Sequence, residues 1–222
     1  MLTKSEINEL IRLLEESYSG DLCELTYKKD YELLFAARLA AQCTDARVNK
    51  ITPTLFGRYT TLESLAGADV TDIENIIHSC GFYRTKSRDI VAAAGMLLSE
   101  FGGRVPDTME DLLKLPGVGR KTANLMLGDI YNKPAVVVDT HCIRLSNRIG
   151  LVSTKDPVKI ETALREILPP EKSSDFCHRL VLHGRAVCTA RNPACSRCVI
   201  ARLCDTGRKL AAFNPSLAGS QL

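Results

Sequence analysis

The sequence predicts an all-α protein, because two of its features are typical of helices. Apolar residues recur at the spacing of an amphipathic helix along most of the chain, whereas the alternating pattern of a half-buried strand is scarce. Residues that favour helix starts, and glycines or prolines that favour helix ends, punctuate the same segments. The one strand-like run, PAVVV at 134–138, is solitary and has no second strand to pair with.

The two N-terminal helices are predicted from different signals. The first begins after Thr3, which forms a capping-box pattern with Glu6 and precedes the amphipathic run INELIRLLEES. The second is predicted from about 31 to 43. Because this segment is apolar on nearly all sides, we expect it to be central in the fold.

Start and stop signals continue along the rest of the chain. Thr44 or Asp45 caps a third segment, which Pro53 should kink or split. Further helices are predicted at about 61–65, 70–78, 85–101, 108–113, 120–131, 140–149, 157–168 and 174–187. The residues that cap or stop them are Asp107 with Glu110, Gly150, and Asp156. The tail after Cys204 lacks a periodic apolar face, and we expect it to be loosely ordered from about residue 206.

Composition excludes several classes of protein. With 222 residues, 45% of them hydrophobic, the chain can bury the core of one domain or of two compact ones. No apolar run approaches the roughly 20 residues that cross a bilayer, and the polar N-terminus has no signal-peptide core, so we expect a cytoplasmic protein.

A net charge of +3 is too small to mark a purely electrostatic nucleic-acid binder. Residues 112–128 and 183–203 carry cations and no acidic residue, although either run alone is more simply a solvated surface.

The nine cysteines divide into two groups. An odd number in a chain without an export signal argues against a disulfide framework. Five occur singly among apolar residues and are most simply small core side chains. These five are Cys23, Cys43, Cys80, Cys142 and Cys177. The other four fall within seventeen residues at the spacing C-x6-C-x2-C-x5-C, and they are Cys188, Cys195, Cys198 and Cys204.

The spacing of the last four cysteines indicates a metal centre. Structural zinc sites usually arrange thiolates as two close pairs, but only Cys195 and Cys198 form such a pair here. Unequal loops around a single pair favour a cubane iron–sulfur cluster. Zinc is the alternative that spacing leaves open.

The segment LPGVGRKTA at 115–123 predicts a tight turn between two helices. Gly117 and Gly119 can adopt positive φ and carry no side chain, so the amides of Val118 and Gly119 should be uncovered beside a helix N-terminus. Such amides suit a phosphate and read no base. The plainer alternative is a helical corner that uses glycine only for its bend.

Lys121 and Asp139 are the candidate catalytic residues. A lysine in a first helical turn is usually only solvated, but the helix N-terminus and neighbouring Arg120 both disfavour a cation there, as burial also would. A neutral amine can attack electrophilic carbon and form a Schiff base. Asp139 should cap the helix that follows it, and a rigidly held carboxylate near an amine could also accept a proton or stabilise a cationic sugar.

These motifs resemble those of one enzyme superfamily. LPGVGRKTA resembles the helix-hairpin-helix motif of the base-excision DNA glycosylases, and VDTH at 138–141 resembles the loop and aspartate that follow it there. AQCTDARVNK at 41–50, GFYRTK at 81–86 and the cysteine spacing extend the resemblance to the endonuclease III type, through Cys204. In the superfamily, the mismatch branches carry the cluster without a lysine at the position of Lys121, and the 8-oxoguanine branch carries the lysine without the cluster.

The resemblance implies a bifunctional DNA glycosylase and abasic-site lyase that removes oxidised pyrimidines in base excision repair and holds a [4Fe-4S] cluster. Lys121 would attack C1′ of a flipped nucleotide, displace the base and permit β-elimination on the 3′ side, assisted by Asp139. The residues implied to contact DNA are Gln42, Phe82, Leu115, Gly117, Val118, Gly119, Arg120, His141, Arg191 and Arg197.

Two of these residues would enter the duplex. Gln42 matches the residue that fills the space left by the flipped base, and Phe82 stands where the best-known relatives have a leucine wedge. Cys80 replaces a larger aliphatic residue of those relatives, so the sequence departs from the family pattern around the wedge. Without the resemblance, ordinary packing is the simpler account of Gln42 and Phe82.

The resemblance further implies two helical lobes with a cleft between them, across which Lys121 and Asp139 face each other. A six-helix lobe would span 23–133, and residues 1–22 with 134–222 would form the iron–sulfur lobe. The expected partner is double-stranded DNA with damaged bases or abasic sites. We expect a monomer with no membrane association, cytoplasmic, and at the nucleoid if the source is bacterial.

Three other functions stay open at the level of sequence. A non-catalytic DNA-binding module would use Lys121 only as a phosphate contact. An iron–sulfur electron-transfer protein would have no affinity for DNA. A monofunctional mismatch glycosylase would release bases and leave the backbone intact.

Overall fold

The computed structural model describes residues 2–213, and in that range it contains twelve α-helices and no β-strand. The bounds are α1 Lys4–Ser17, α2 Asp30–Ala40, α3 Asp45–Arg58, α4 Leu62–Ala66, α5 Val70–Ile77, α6 Tyr83–Glu100, α7 Met109–Leu112, α8 Arg120–Asp129, α9 Thr140–Ile149, α10 Pro157–Ile167, α11 Ser173–Ala186 and α12 Asp205–Phe213. The all-α prediction is confirmed. The PAVVV run forms no strand and is a largely buried connecting segment. None of the described helices is both long and apolar enough to cross a membrane.

The helix boundaries follow local capping chemistry. Thr3 and Glu6 form the predicted capping box of α1, in which the Thr3 N–H donates to the Glu6 carboxylate at 2.8 Å. Asp156 caps α10, and Gly150 ends α9 with φ +93. The predicted cap of α7 is wrong by one residue. Thr108 has the extended backbone of an N-cap and accepts from the Asp111 N–H at 3.2 Å.

The second and third helices differ from their predictions. Helix α2 ends at Ala40, earlier than predicted, because the chain turns into a left-handed conformation at Gln42, where φ is +55. Helix α3 begins after Thr44 and runs through Pro53, so Pro53 does not split the helix, which was one of the two predicted outcomes. The buried face of α3 packs into the core, and the free energy of this packing offsets the loss of the backbone hydrogen bond that a proline cannot make.

The helices form two compact units. The contiguous unit, Cys23–Asn132, contains α2 to α8; α6 contacts α2, α4 and α5, and α2 also contacts α3 and α8. The other unit joins the N-terminal residues up to Leu22 with the chain from Lys133 onward. Within it α11 contacts α1 and α9, and α12 contacts α9.

Helix α12 corrects the expectation that order is lost soon after Cys204. The Arg208 N–H donates to the Cys204 carbonyl at 2.8 Å, and the Thr206 hydroxyl donates to the Arg148 carbonyl at 3.0 Å. Gly207 lies so close to Ala201 that a side chain there would collide with the Ala201 backbone. Hydrogen bonds and close backbone packing therefore hold α12 in place, although the helix has no broad apolar face. The tail beyond Phe213 lies outside the described residues.

Candidate active site and metal centre

A tight turn connects α7 to α8 in the contiguous unit. Leu115 is buried at its start, and Gly117 has φ +75, which glycine adopts without strain. A Cβ on Gly117 would lie 2.6 Å from Nε of Arg38 and 2.7 Å from Oδ2 of Asp89. Backbone conformation and lack of space both require glycine at this position.

One of the two amides that the sequence predicts to be open, that of Val118, is engaged. The Val118 N–H is not uncovered, because it donates to the Leu115 carbonyl at 3.1 Å. Gly119 has extended backbone, with φ −107 and ψ 176, and a Cβ there would meet no atom within 4 Å, so the turn does not require glycine at 119. Gly119 is the N-cap of α8 and has no side chain to cap the first-turn amides. The candidate anion site therefore lies at the first turn of α8.

Lys121 is the second residue of α8 and is exposed, as is Arg120. The helix is buried from Ala123 to Gly128, so its body is fixed in the core and its first turn lies at the surface. Lys121 is therefore an exposed side chain beside the N-terminus of α8 and not a buried one.

Asp139 is the N-cap of α9 in the other unit, as predicted from sequence. Its Oδ1 accepts from the Cys142 N–H at 2.7 Å, and its side chain is partly exposed. One carboxylate oxygen is therefore committed to holding the helix, which fixes the direction of the other.

His141 lies in the first turn of α9, and Arg144 fixes its tautomer. Nη2 of Arg144 lies 3.1 Å from Nδ1 of His141. A guanidinium can only donate, so Nδ1 accepts and the neutral ring carries its hydrogen on Nε2. The same Nη2 donates to the Cys188 carbonyl at 3.0 Å, which ties His141 to the four-cysteine loop.

The four C-terminal cysteines line one cavity. The walls of this cavity come from α9, α11 and the loop itself, and its lining includes Cys188, Cys195, Cys198 and Cys204. Among the residues that the structure describes, no three His, Cys, Asp or Glu side chains converge closely enough to hold one metal ion. Thiols spread around a cavity fit a cluster better than a single zinc ion.

Comparison with known proteins identifies the family. A model described as "HhH-GPD superfamily base excision DNA repair protein" matches residues 35–170, and one described as "Iron-sulfur binding domain of endonuclease III" matches residues 188–204. Endonuclease III of Synechocystis sp. is 45% identical over 206 residues, covering 92% of this chain and 94% of that protein. Endonuclease III of Bacillus subtilis is 38% identical over 210 residues, covering 94% and 96%. The chain belongs to the endonuclease III family.

Solved structures agree with this assignment. A trapped endonuclease III–DNA covalent intermediate has a TM-score of 0.88 and 39% identity, covering 95% of this chain and 99% of its own. A thermostable thymine-DNA glycosylase, at 23% identity and a TM-score of 0.81, shows the fold alone. As a member of the endonuclease III family, the protein is a DNA glycosylase and abasic-site lyase of base excision repair.

The match to the iron–sulfur domain favours the [4Fe-4S] cluster over zinc, and the chemistry of the cavity fits it. Burial, followed by the neighbouring Cys204 and Cys188 sulfurs, raises the pKa of Cys198 to about 11. Burial likewise raises the pKa of Cys195 and Cys204. Four thiolates can share this cavity only with a cationic partner, which iron supplies.

His183 provides a hydrogen-bond donor beside the cluster site. Its Nε2 lies 3.3 Å from the Cys198 sulfur and its Nδ1 lies 2.9 Å from the Tyr18 hydroxyl. Burial lowers the pKa of His183 to about 4, so the ring is neutral. With iron bound, the Cys198 sulfur would have no proton and could only accept, so Nε2 would donate to it and Tyr18 would donate to Nδ1.

One arginine binds the backbone of the cysteine loop, and two others are exposed on its surface. Arg148 donates to the carbonyls of Thr189 at 2.7 Å and Ala190 at 2.8 Å. Arg191 and Arg197 are exposed on the loop, and Nη2 of Arg197 donates to the Ala186 carbonyl at 2.9 Å. Sequence reasoning named the two exposed arginines but missed Arg148, as it missed Arg144 and His183. The four-residue spacing of Arg144 and Arg148, which places them on one face of α9, is a signal that could have found them.

The two predicted insertion residues lie on neighbouring loops of the contiguous unit. Gln42 and Phe82 are exposed, Phe82 by 64%, and their φ angles are +55 and +59. Cys80 is fully buried, and its sulfur lies 3.8 Å from that of Cys43. Cys80, which departs from the family pattern, therefore packs against a second small thiol, two residues before Phe82.

Proposed function

We propose that this chain removes oxidised pyrimidines from duplex DNA and cleaves the resulting abasic site, with Lys121 as nucleophile. The observation that carries the proposal is the place of Lys121 in an endonuclease III family member. It lies on the exposed first turn of α8. The N-cap of this helix is Gly119, which has no side chain to cap the first-turn amides. Those amides would bind a backbone phosphate and bring the sugar to the amine.

The proposed reaction proceeds through a Schiff base between Lys121 and the sugar. The neutral amine of Lys121 attacks C1′ of the flipped nucleotide, and the bond from C1′ to the base breaks with its electron pair leaving on the base. The sugar ring opens to give an iminium between Nζ and C1′. Loss of a proton from C2′ then expels the 3′ phosphate by β-elimination, and water hydrolyses the Schiff base to release the enzyme.

Asp139 would accept the proton that the amine must lose before it attacks. Its Oδ1 is committed to the Cys142 N–H, which leaves Oδ2 for this role. The same negative charge would stabilise the positive charge that develops on the sugar. A cap and a base are compatible roles because they use different oxygens.

The cluster is proposed to be held by Cys188, Cys195, Cys198 and Cys204. When bound, it supplies iron–thiolate bonds that cross-link the loop. Arg191 and Arg197 would then contact DNA phosphates, as would His141 through Nε2–H. Replacing either arginine by alanine should lower the slope of log K against log salt by about one unit. If the source is bacterial, we expect the enzyme to act at the nucleoid, because its substrate is there.

Borohydride trapping tests the nucleophile. The wild type should form a covalent adduct with an abasic-site duplex, and Lys121→Ala should form none. Lys114→Ala is the matched control, because Lys114 precedes the same turn and is ion-paired with Asp111 at 2.7 Å. An adduct of equal yield in Lys121→Ala, or none in the wild type, rejects the mechanism.

A substrate panel tests the specificity. Duplexes with an oxidised pyrimidine, 8-oxoguanine or a mismatch should be compared for base release and for strand cleavage. We expect release and cleavage on the oxidised pyrimidine. Base release without cleavage would instead indicate a monofunctional glycosylase, and binding without either reaction a non-catalytic module.

A further inference from the structure

Two neighbouring surface loops carry left-handed backbone at residues that are not glycine. Gln42 has φ +55 and Phe82 has φ +59, and among the described residues only Asn132 shares this feature. Side chains other than glycine rarely adopt this region, so it persists only where surrounding contacts impose it. The structure must therefore contain groups that hold these two residues.

One buried lysine contacts the backbone beside both residues, through its side chain near Gln42 and through its own backbone N–H at Phe82. Lys86, in α6, is 0% exposed, and its Nζ donates to the carbonyls of Leu39 at 2.8 Å and Ala41 at 2.6 Å. The Ala41 carbonyl immediately precedes Gln42. The backbone N–H of Lys86 donates to the Phe82 carbonyl at 3.1 Å. The side chain of Lys86 thus ties the Gln42 loop to α6, the helix that begins directly after Phe82.

The charge of Lys86 is unusual for a core residue. Burial lowers its pKa, and the ionisable groups that act on it are the Cys80 and Cys43 thiols and the Arg38 guanidinium, none of which is a carboxylate. A buried cation satisfied only by backbone carbonyls costs stability, and a similar apolar side chain would avoid that cost. Packing alone therefore does not explain a lysine at this position.

The two loops also meet directly. The sulfurs of Cys43 and Cys80 lie 3.8 Å apart, one residue after Gln42 and two before Phe82. A Cβ on Gly81 would lie 3.6 Å from the Gln42 carbonyl oxygen. The loops are close enough for a change at Lys86 to alter the spacing of both exposed side chains.

We propose that Lys86 is a positioning residue that sets the separation of Gln42 and Phe82, so that both side chains enter the duplex together as a damaged nucleotide leaves it. The proposal rests on the function proposed above. The phenyl ring of Phe82 would unstack the bases, and Gln42 would occupy the vacated space. Lys86 touches no DNA and acts only through the two loops.

The test separates opening of the duplex from chemistry at the sugar. Lys86→Met keeps the length of the side chain and removes its donors. We expect base release from a damaged duplex to slow by about tenfold or more, with borohydride trapping on a single-stranded abasic site changed by less than about twofold. A single-stranded site needs no extrusion, so the loops should not affect it. Arg88→Met, which removes an exposed cation from the same helix, is the matched control and should change neither rate.

A double-mutant cycle distinguishes positioning from general support of the fold. In a Gln42→Ala, Phe82→Ala background, Lys86→Met should slow base release by less than about twofold further, because the residues on which it acts are gone. The same factor in both backgrounds, or an equal loss of single-strand trapping, overturns the proposal. If Lys86→Met does not fold, Lys86→Gln removes the charge, retains an uncharged NH₂ donor group and is measured in the same cycle.

A fluorescence measurement keeps this inference separate from the catalytic proposal. In a Lys121→Ala background no covalent step can occur, and 2-aminopurine placed beside an abasic analogue reports unstacking. The fluorescence should rise when Lys86 is intact and should rise much less with Lys86→Met. An equal rise overturns the role of Lys86, whereas failure of the wild type to trap abasic DNA overturns only the role of Lys121.

Discussion

The guanidinium of Arg38 and the carboxylate of Asp89 meet at 2.6 Å and fill the space beside Gly117. The ion pair connects α2 to α6 directly beneath the hairpin turn. It makes the turn depend on two residues that are 51 positions apart in sequence. The hairpin is therefore positioned by the core of the contiguous unit as well as by its own glycines.

The two glycines of the hairpin should respond differently to alanine. Gly117→Ala should lower the free energy of unfolding by about 1–3 kcal/mol, because it combines positive φ with a collision. Gly119→Ala should change stability by less than about 0.5 kcal/mol, since its backbone is extended and its surroundings are open. It should still weaken binding to an abasic duplex, because the added methyl lies beside the first-turn amides of α8. Thermal unfolding and fluorescence anisotropy measure the two effects, and equal destabilisation by both would contradict this account.

Substitutions of Asp139 should separate capping from chemistry. Asparagine caps a helix about as well as aspartate, so Asp139→Asn should retain stability and lose most base release and strand cleavage. Asp139→Ala should lose the same activity and also about 0.5–2 kcal/mol of stability. Denaturant unfolding and single-turnover cleavage check the pair. Wild-type activity in Asp139→Asn would assign the residue to capping alone.

Loss of the cluster should follow only from substitution of one of the four C-terminal cysteines, which are its proposed ligands. Cys198→Ser should lose iron and acid-labile sulfide and should destabilise the unit that contains it, because the loop loses its cross-link. Cys23→Ser changes a thiol in the contiguous unit, and this variant should retain iron and acid-labile sulfide. Elemental analysis of the purified proteins gives the result, and zinc in place of iron would reject the cluster.

The capping box of α1 should make stability depend on pH. The hydrogen bond from the Thr3 backbone N–H is the largest influence that lowers the pKa of Glu6 below its ordinary 4.5. Because the folded state has the lower pKa, the unfolded state binds more protons in this range, and stability rises with pH. The contribution is full above about pH 4.5 and is lost as pH falls through the folded pKa. The difference in Tm between wild type and Glu6→Gln should therefore shrink on acidification, whereas a constant difference would exclude this origin.

Local chemistry explains which parts of the fold the sequence could predict. The caps at Thr3 and Asp156 and the stop at Gly150 depend on neighbouring residues, so their patterns are readable in the chain. At α7 two overlapping patterns fit, and only the extended backbone of Thr108 decides between them. The early end of α2 depends on the left-handed backbone of Gln42, which contacts from α6 impose.

The candidate site divides in the same way. The four cysteines and the turn with Lys121 are local patterns, and the roles of Lys121 and Asp139 stay predictions. Lys86 and Arg38 became visible only in the structure, since their partners come from distant segments. The engaged amide of Val118 was also hidden, because glycine content indicates that a turn can form but not which N–H it uses.

The route of the chain through its two units bears on how the protein is made. The contiguous unit is complete once Asn132 has been synthesised, so it can fold while the remaining chain is still on the ribosome. Helix α1 precedes this unit in the sequence yet packs on α11, and Tyr18 bonds to His183, a residue 165 positions later. The apolar face of α1 therefore stays exposed to chaperones or to aggregation until α11 has emerged from the ribosome.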